Sequence, residues 1–136
     1  MQKDNLYMAE TTKDNRQFVR DLAAAAQKYD FIIHNEGKME MANTFGDHGV
    51  EVAEDFDLHM IQLCKPAKAA KSLQVNPERA VLMPKFIMTF TSHGKTQIRF
   101  LRFSKDNIAS VVDDQAFPIS LAETYDKIIE IIEEAK

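Results

Sequence analysis

Leu58-His59-Met60-Ile61-Gln62-Leu63-Cys64-Lys65-Pro66-Ala67-Lys68-Ala69-Ala70 is the stretch on which the fold turns. Its first seven residues carry no Lys, Arg, Asp or Glu, with acids before them and Lys65-Pro66 after. An uncharged run between charged flanks is the signature of a buried strand. Pro66 suits the first turn of a helix, where its missing N–H costs nothing. Ala67, Ala70 and Leu73 carry that helix on to Asn76-Pro77. Successive strand side chains take opposite faces. Cys64 and His59, five positions apart, therefore point apart, which argues against a metal site or catalytic dyad within the strand.

Working outward, Phe86–Thr91 and Gln97–Phe103 read as two more strands around Ser92-His93-Gly94-Lys95. A two-residue turn at His93-Gly94 sets Thr89 opposite Ile98 and Ile87 opposite Phe100. Upstream, Leu6–Ala9 is a weaker strand, and Thr11 or Thr12 is expected to cap a helix. Phe18, Leu22, Ala25, Ala26 and Tyr29 give that helix one apolar face. Phe31–His34 is the next strand. Asn35-Glu36-Gly37 turns the chain into a short helix over Lys38–Phe45, with Gly46 and Gly49 as its stop and turn signals. At the C-terminal end, Ser120-Leu121-Ala122-Glu123 reads as a capping box. It is followed by the apolar stripe Leu121, Tyr125, Ile128, Ile129 and Ile132. Glu130, Glu133 and Glu134 near the end of that helix oppose its dipole, at about 0.3–1 kcal/mol each when exposed.

The chain has 136 residues, which at ~100–200 per domain predicts one domain over 1–136. With 45% hydrophobic and 28% charged residues it is not a disordered polymer. The net charge of −4 argues against a nucleic-acid partner held by bulk positive charge. No apolar run approaches the ~20 residues of a membrane span. The opening Met1-Gln2-Lys3-Asp4-Asn5 has no apolar segment of the kind an export signal needs. A single cysteine excludes an internal disulfide and a CxxC metal site. Together these predict a cytoplasmic location.

The charge is segregated. Residues 36–57 hold seven acids and one base, whereas residues 65–85 hold five bases and one acid. The basic block suits a small anion or an acidic partner. It is equally suited to pairing with the acidic block, within the fold or across a dimer.

Cys64 is the first chemical candidate. It lies at a helix start with Lys65 beside it, and both favour the reactive thiolate. The plainer alternative is that it fills a small apolar hole. Asp57 and His59 share a strand face and could act as orienter and base. A strand histidine is more often satisfied by a backbone carbonyl. His34, His48 and His93 have less context, and no HxH or HExxH spacing is present. A metal site assembled across strands from His34, His48, His59, Cys64 or methionines stays open. Met39, Met41, Met60, Met83 and Met88 are expected to fill core gaps. Nucleotide cradles and serine-hydrolase elbows have no motif here.

Leu63-Cys64-Lys65-Pro66-Ala67-Lys68-Ala69-Ala70, then Asn76-Pro77-Glu78-Arg79-Ala80, then Leu82-Met83-Pro84 form a combination that resembles the DUF-302 family of small domains. The matching positions are Cys64, Pro66, Ala69, Pro77, Leu82 and Pro84, and the likeness extends over about residues 5–135. The resemblance implies an α+β fold: a curved, mainly antiparallel sheet, with two main helices packed on one face and short helices besides. It also implies a homodimer in many members. It implies no established activity. Many members carry a second cysteine just after the last proline, where this chain has Lys85. The expectation is therefore a non-catalytic binding module with Cys64, Lys65, His59 and Lys85 as ligand contacts. Its ligand would be a small anion, a sulfur species, or a metal or haem, with the cofactor unspecified. The rival readings are thiol redox or sulfur transfer through Cys64, and a homodimeric interaction module.

Overall fold

The computed structural model describes residues 5–136. The opening residues Met1–Asp4, on which the export-signal expectation rests, lie outside them. The five strands are β1 (Leu6–Thr11), β2 (Ile32–Ile33), β3 (His59–Cys64), β4 (Phe86–Ser92) and β5 (Lys95–Leu101). They form one open antiparallel sheet in the order β1-β5-β4-β3-β2. The helices are α1 (Asn15–Gln27), α2 (Met41–Asp47), α3 (Pro66–Val75), α4 (Lys105–Val111) and α5 (Phe117–Ala135). Short 3-10 turns occupy Glu36–Lys38 and Pro77–Leu82.

The β4–β5 hairpin has the register expected from its turn: Thr89 pairs with Ile98 and Ile87 with Phe100. His93 and Gly94 have φ of +56° and +74°, as a two-residue primed turn requires. One sheet face carries Ile61 and Leu63 of β3, Ile87 and Thr89 of β4, and Ile98 and Phe100 of β5, all fully buried. The long helices α1 and α5 close this face with Phe18, Leu22, Leu121, Tyr125, Ile128 and Ile132. Burying each large apolar side chain contributes about 1.5–3 kcal/mol. The α5 stripe therefore outweighs the dipole cost at the helix end. That cost is itself reduced, because Glu130 pairs with Lys127, Glu133 with Lys136, and Glu134 with Lys28. The Tyr7 hydroxyl also donates to Glu133.

Four sequence expectations are corrected. First, α1 is capped by Asp14, whose Oδ1 accepts from the Gln17 amide at 2.8 Å; Thr11 belongs to β1 and Thr12 is no cap. Second, α5 begins at Phe117, before the expected capping box. Asp114 Oδ1 accepts from the Ala116 and Phe117 amides at 3.1 and 2.9 Å, so Ser120 lies inside the helix. Third, the helix expected over Lys38–Phe45 is split into a 3-10 turn and α2, because Met39 and Glu40 run along β3. Met60 N donates to Met39 O at 2.8 Å, and Glu40 bridges His59. Fourth, none of the five core-assigned methionines is fully buried: Met60 and Met88 lie on the helix-free sheet face, and Met39 and Met83 at the core margin. That helix-free face also exposes Met8 and Leu101.

β2 has only two residues because the Asn35 side chain takes over its pairing. Asn35 Nδ2 donates to Met60 O, and its Oδ1 accepts from Gln62 N, both at 2.9 Å. The His34 amide adds one bond to Gln62 O at 2.7 Å, and backbone pairing resumes at Met39.

Candidate functional site

The strand-to-helix step at Cys64-Lys65-Pro66 opens one wall of a cleft of about 240 Å³. Strand β3 supplies Gln62, Leu63 and Cys64, Lys65 follows at the step, and helix α3 adds Lys68, Ala69, Ser72 and Leu73. The turn before β4 brings Met83, Pro84 and Lys85, and α5 forms the opposite wall through Phe117, Ser120, Leu121 and Thr124. Phe31 and the exposed His34 complete it. Pro66 stands at the first position of α3, and no side chain caps that helix start.

Three ammonium groups face this cleft, and no described Asp or Glu lines it. Each ammonium rests on a neutral partner. Lys68 Nζ donates to Thr124 Oγ1 at 2.6 Å and to Ser120 O at 3.3 Å. Lys85 Nζ donates to Met83 O at 2.6 Å. Lys65 Nζ lies 5.7 Å from the centre of the Phe31 ring, a cation–π contact. Burial pushes the Lys85 ammonium below the usual lysine range; the Cys64 sulfur opposes this and the Lys68 charge adds to it. Burial likewise lowers Lys68, against the pull of Glu123 and with the repulsion of Lys65.

Cys64, Lys65 and Lys85 are thus brought together, from positions up to 21 residues apart. Cys64 is half-buried on the cleft wall and does not fill a core hole. His59 is not brought to them. It is buried on the helix-covered face at the other end of β3, where its Nδ1 lies 3.0 Å from the Asp57 carbonyl oxygen. Five strand residues at ~3.3 Å each separate the two ends. The Asp57 carboxylate does not orient His59. It accepts instead from the Thr91 amide at 2.9 Å and from the Thr91 hydroxyl. Burial raises the Asp57 carboxyl, but these hydrogen bonds outweigh it and hold the group below its usual range. Asn15 closes this second network, donating to Asp57 O at 2.6 Å and accepting from Thr89 Oγ1 at 2.6 Å. Nor do the histidines converge: among the described residues no three His, Cys, Asp or Glu side chains form a metal set.

The acidic and basic blocks do not pair with each other among the described residues. Of the bases in 65–85 only Arg79 forms an ion pair, and its partner is Asp114. Arg79 Nε and Nη2 meet the two Asp114 oxygens at 2.7 and 3.0 Å, and Asn76 Nδ2 donates to the same carboxylate at 2.9 Å. This buried fork ties the turn after α3 to the start of α5, so it fixes the two cleft walls relative to each other. Of the α5 wall, the sequence marks Ser120 and Leu121 as helix residues, and nothing local marks Phe117 and Thr124 or turns any of the four toward the cleft.

Fold and cleft together define a small α+β domain with a cationic pocket at one end of its sheet. The family model "Domain of unknown function DUF302" matches residues 7–135, and the chain belongs to that family. A crystal structure of an uncharacterized conserved DUF302 protein from Bacillus stearothermophilus is similar, with a TM-score of 0.78. The match covers 97% of this chain and 98% of that one at 13% identity, which shows a shared fold. No curated protein matches the sequence. No described helix is long and apolar enough to cross a membrane.

Proposed function

We propose that this domain is a non-catalytic binding module whose cleft holds a small anion against Lys65, Lys68 and Lys85. One observation carries the reading: three ammonium groups line the cleft and no described carboxylate does. Ammonium groups drawn partly out of water repel one another, and among the described residues none of the three forms an ion pair; Glu123 alone pulls on Lys68 from outside the lining. An anion placed among them restores what burial removes, through charge-assisted hydrogen bonds. Cys64 contributes a polarisable wall contact. A single cysteine fits a reducing compartment, and we place the domain in the cytoplasm.

The test is thermal shift with inorganic phosphate and sulfate at constant ionic strength. The expected result is a melting temperature that rises with anion concentration, and a response reduced severalfold in both Lys68→Met and Lys85→Met. A flat response for every anion, or one that both variants keep, rejects the site.

Cys64 on the wall beside Lys85 also favours a second reading, a thiol used in redox or sulfur transfer. Iodoacetamide alkylation decides it: a thiol that stays unmodified in the folded protein rejects it. The homodimer implied by the family resemblance is the third reading. The exposed Met8 and Leu101 on the helix-free sheet face favour it. Sedimentation that finds a monomer at all concentrations rejects it.

A further inference from the structure

We infer that the anion bound in the cleft is an amphipathic organic one, a single charged head on a short apolar tail. This rests on the anion-site reading above and names its ligand class. The lysines come from the β3–α3 step, the first turn of α3 and the start of β4, and Lys68 reaches across to Ser120 and Thr124 of α5, so they occupy only part of the lining. The remaining walls are Phe31, Leu63, Leu73, Met83, Phe117 and Leu121. Leu73 and Met83 are half-buried and, with Ala69, Ala80 and Pro84, present the open apolar surface of the cleft over the other four, which are buried; none of these can donate a side-chain hydrogen bond to a bare inorganic ion. A fully hydrated phosphate would leave this apolar surface in contact with water and gain nothing from it. A ligand with a tail gains from both parts.

The size sets an upper bound. At about 240 Å³ the cleft falls below the ~300–1,000 Å³ that drug-sized ligands occupy. A chain of a few methylenes fits this scale better than a cofactor with a ring system. Each methylene that leaves water adds roughly 0.8 kcal/mol, a factor of about 4 in affinity.

Isothermal titration at constant ionic strength with hexanoate, acetate, hexan-1-ol and inorganic phosphate tests the inference. Hexanoate has four more methylenes than acetate and is expected to bind at least tenfold more tightly. Hexan-1-ol, with the tail and no charge, is expected to bind at least tenfold more weakly than hexanoate. Ala69→Leu fills the cleft from a half-buried position on α3. It is expected to weaken hexanoate tenfold and leave phosphate unchanged. If phosphate binds while hexanoate is no tighter than acetate, the tail is wrong and the anion site stands. If hexan-1-ol matches hexanoate, or if no anion binds, the anion site fails as well.

Discussion

Replacing Lys85 by methionine separates the stability of the cleft from its binding. The side chain is half-buried and its ammonium has one protein partner, the Met83 carbonyl at 2.6 Å. Lys85→Met deletes that hydrogen bond to a charged group, a loss of about 1.5–3 kcal/mol. It also ends the desolvation of the ammonium. That costs several kcal/mol for a fully buried ion and correspondingly less for one that keeps part of its water. The two contributions oppose each other at similar size, and methionine follows the same unbranched path. The net change expected at pH 7 is within about 1 kcal/mol of zero. The pH dependence gives the sign. Because the folded value of Lys85 lies below its unfolded one, the folded chain holds fewer protons than the unfolded chain at alkaline pH. Wild-type stability therefore gains as pH rises toward the unfolded lysine value of ~10.4. The variant lacks this gain, so its stability relative to wild type falls as pH rises through the folded lysine value toward the unfolded one. Urea denaturation at four pH values measures both quantities, and the difference between the proteins cancels the titrating groups that do not interact with Lys85, leaving Lys85 with its neighbours Cys64 and Lys68. A loss above about 3 kcal/mol at pH 7, the cost of breaking a buried pair, would show that Lys85 is a structural ion. A difference that does not change with pH would show that its ammonium is not desolvated.

The other predictions concern the scaffold. Asp114 is held well below the usual carboxylate range, chiefly by Arg79, so its contribution is present above pH ~4 and fades as pH falls further. Asp114→Asn is expected to lower the melting temperature at pH 7 and to flatten its decline between pH 5 and pH 2, read by calorimetry; an unchanged acid limb rejects the role given to the fork. Gly94→Ala meets no atom within 4 Å, so its cost is conformational only, about 1–2 kcal/mol for a left-handed residue. Chemical denaturation measures it, and a neutral result would mean that the turn relaxes.

Much of the sheet was legible because its signals are local. The uncharged run at 58–64 and the turn at His93-Gly94 each decide their element within about ten residues. Their register follows from period-2 alternation. The helix starts were less legible for a physical reason. Several residues with cap chemistry stand within six positions of each other: Thr11, Thr12 and Asp14 before α1, and Asp114 and Ser120 around the start of α5. Only tertiary packing chooses among them. Thr11 is claimed by the pairing of β1 with β5, and Asp114 by Arg79, 35 residues away in sequence.

The candidate site divides along the same line. That Cys64 and His59 face apart follows from alternation alone. That Lys85 joins Cys64 follows from β4 pairing with β3 so that Leu63 N reaches Lys85 O at 3.1 Å. No local pattern contains that contact. The α5 wall depends on a still longer chain of causes. Asp114 is fixed by Arg79 and Asn76, Asp114 starts α5 at Phe117, and that start sets Ser120 and Thr124 facing Lys68. A helix begun at Ser120, as the capping-box pattern suggests, would have no first turn carrying Phe117, and Thr124 would stand near its frayed start. The cleft is therefore a product of where α5 begins, and the Arg79–Asp114 fork, which touches Ser72 and Phe117 of its lining, positions the cationic wall.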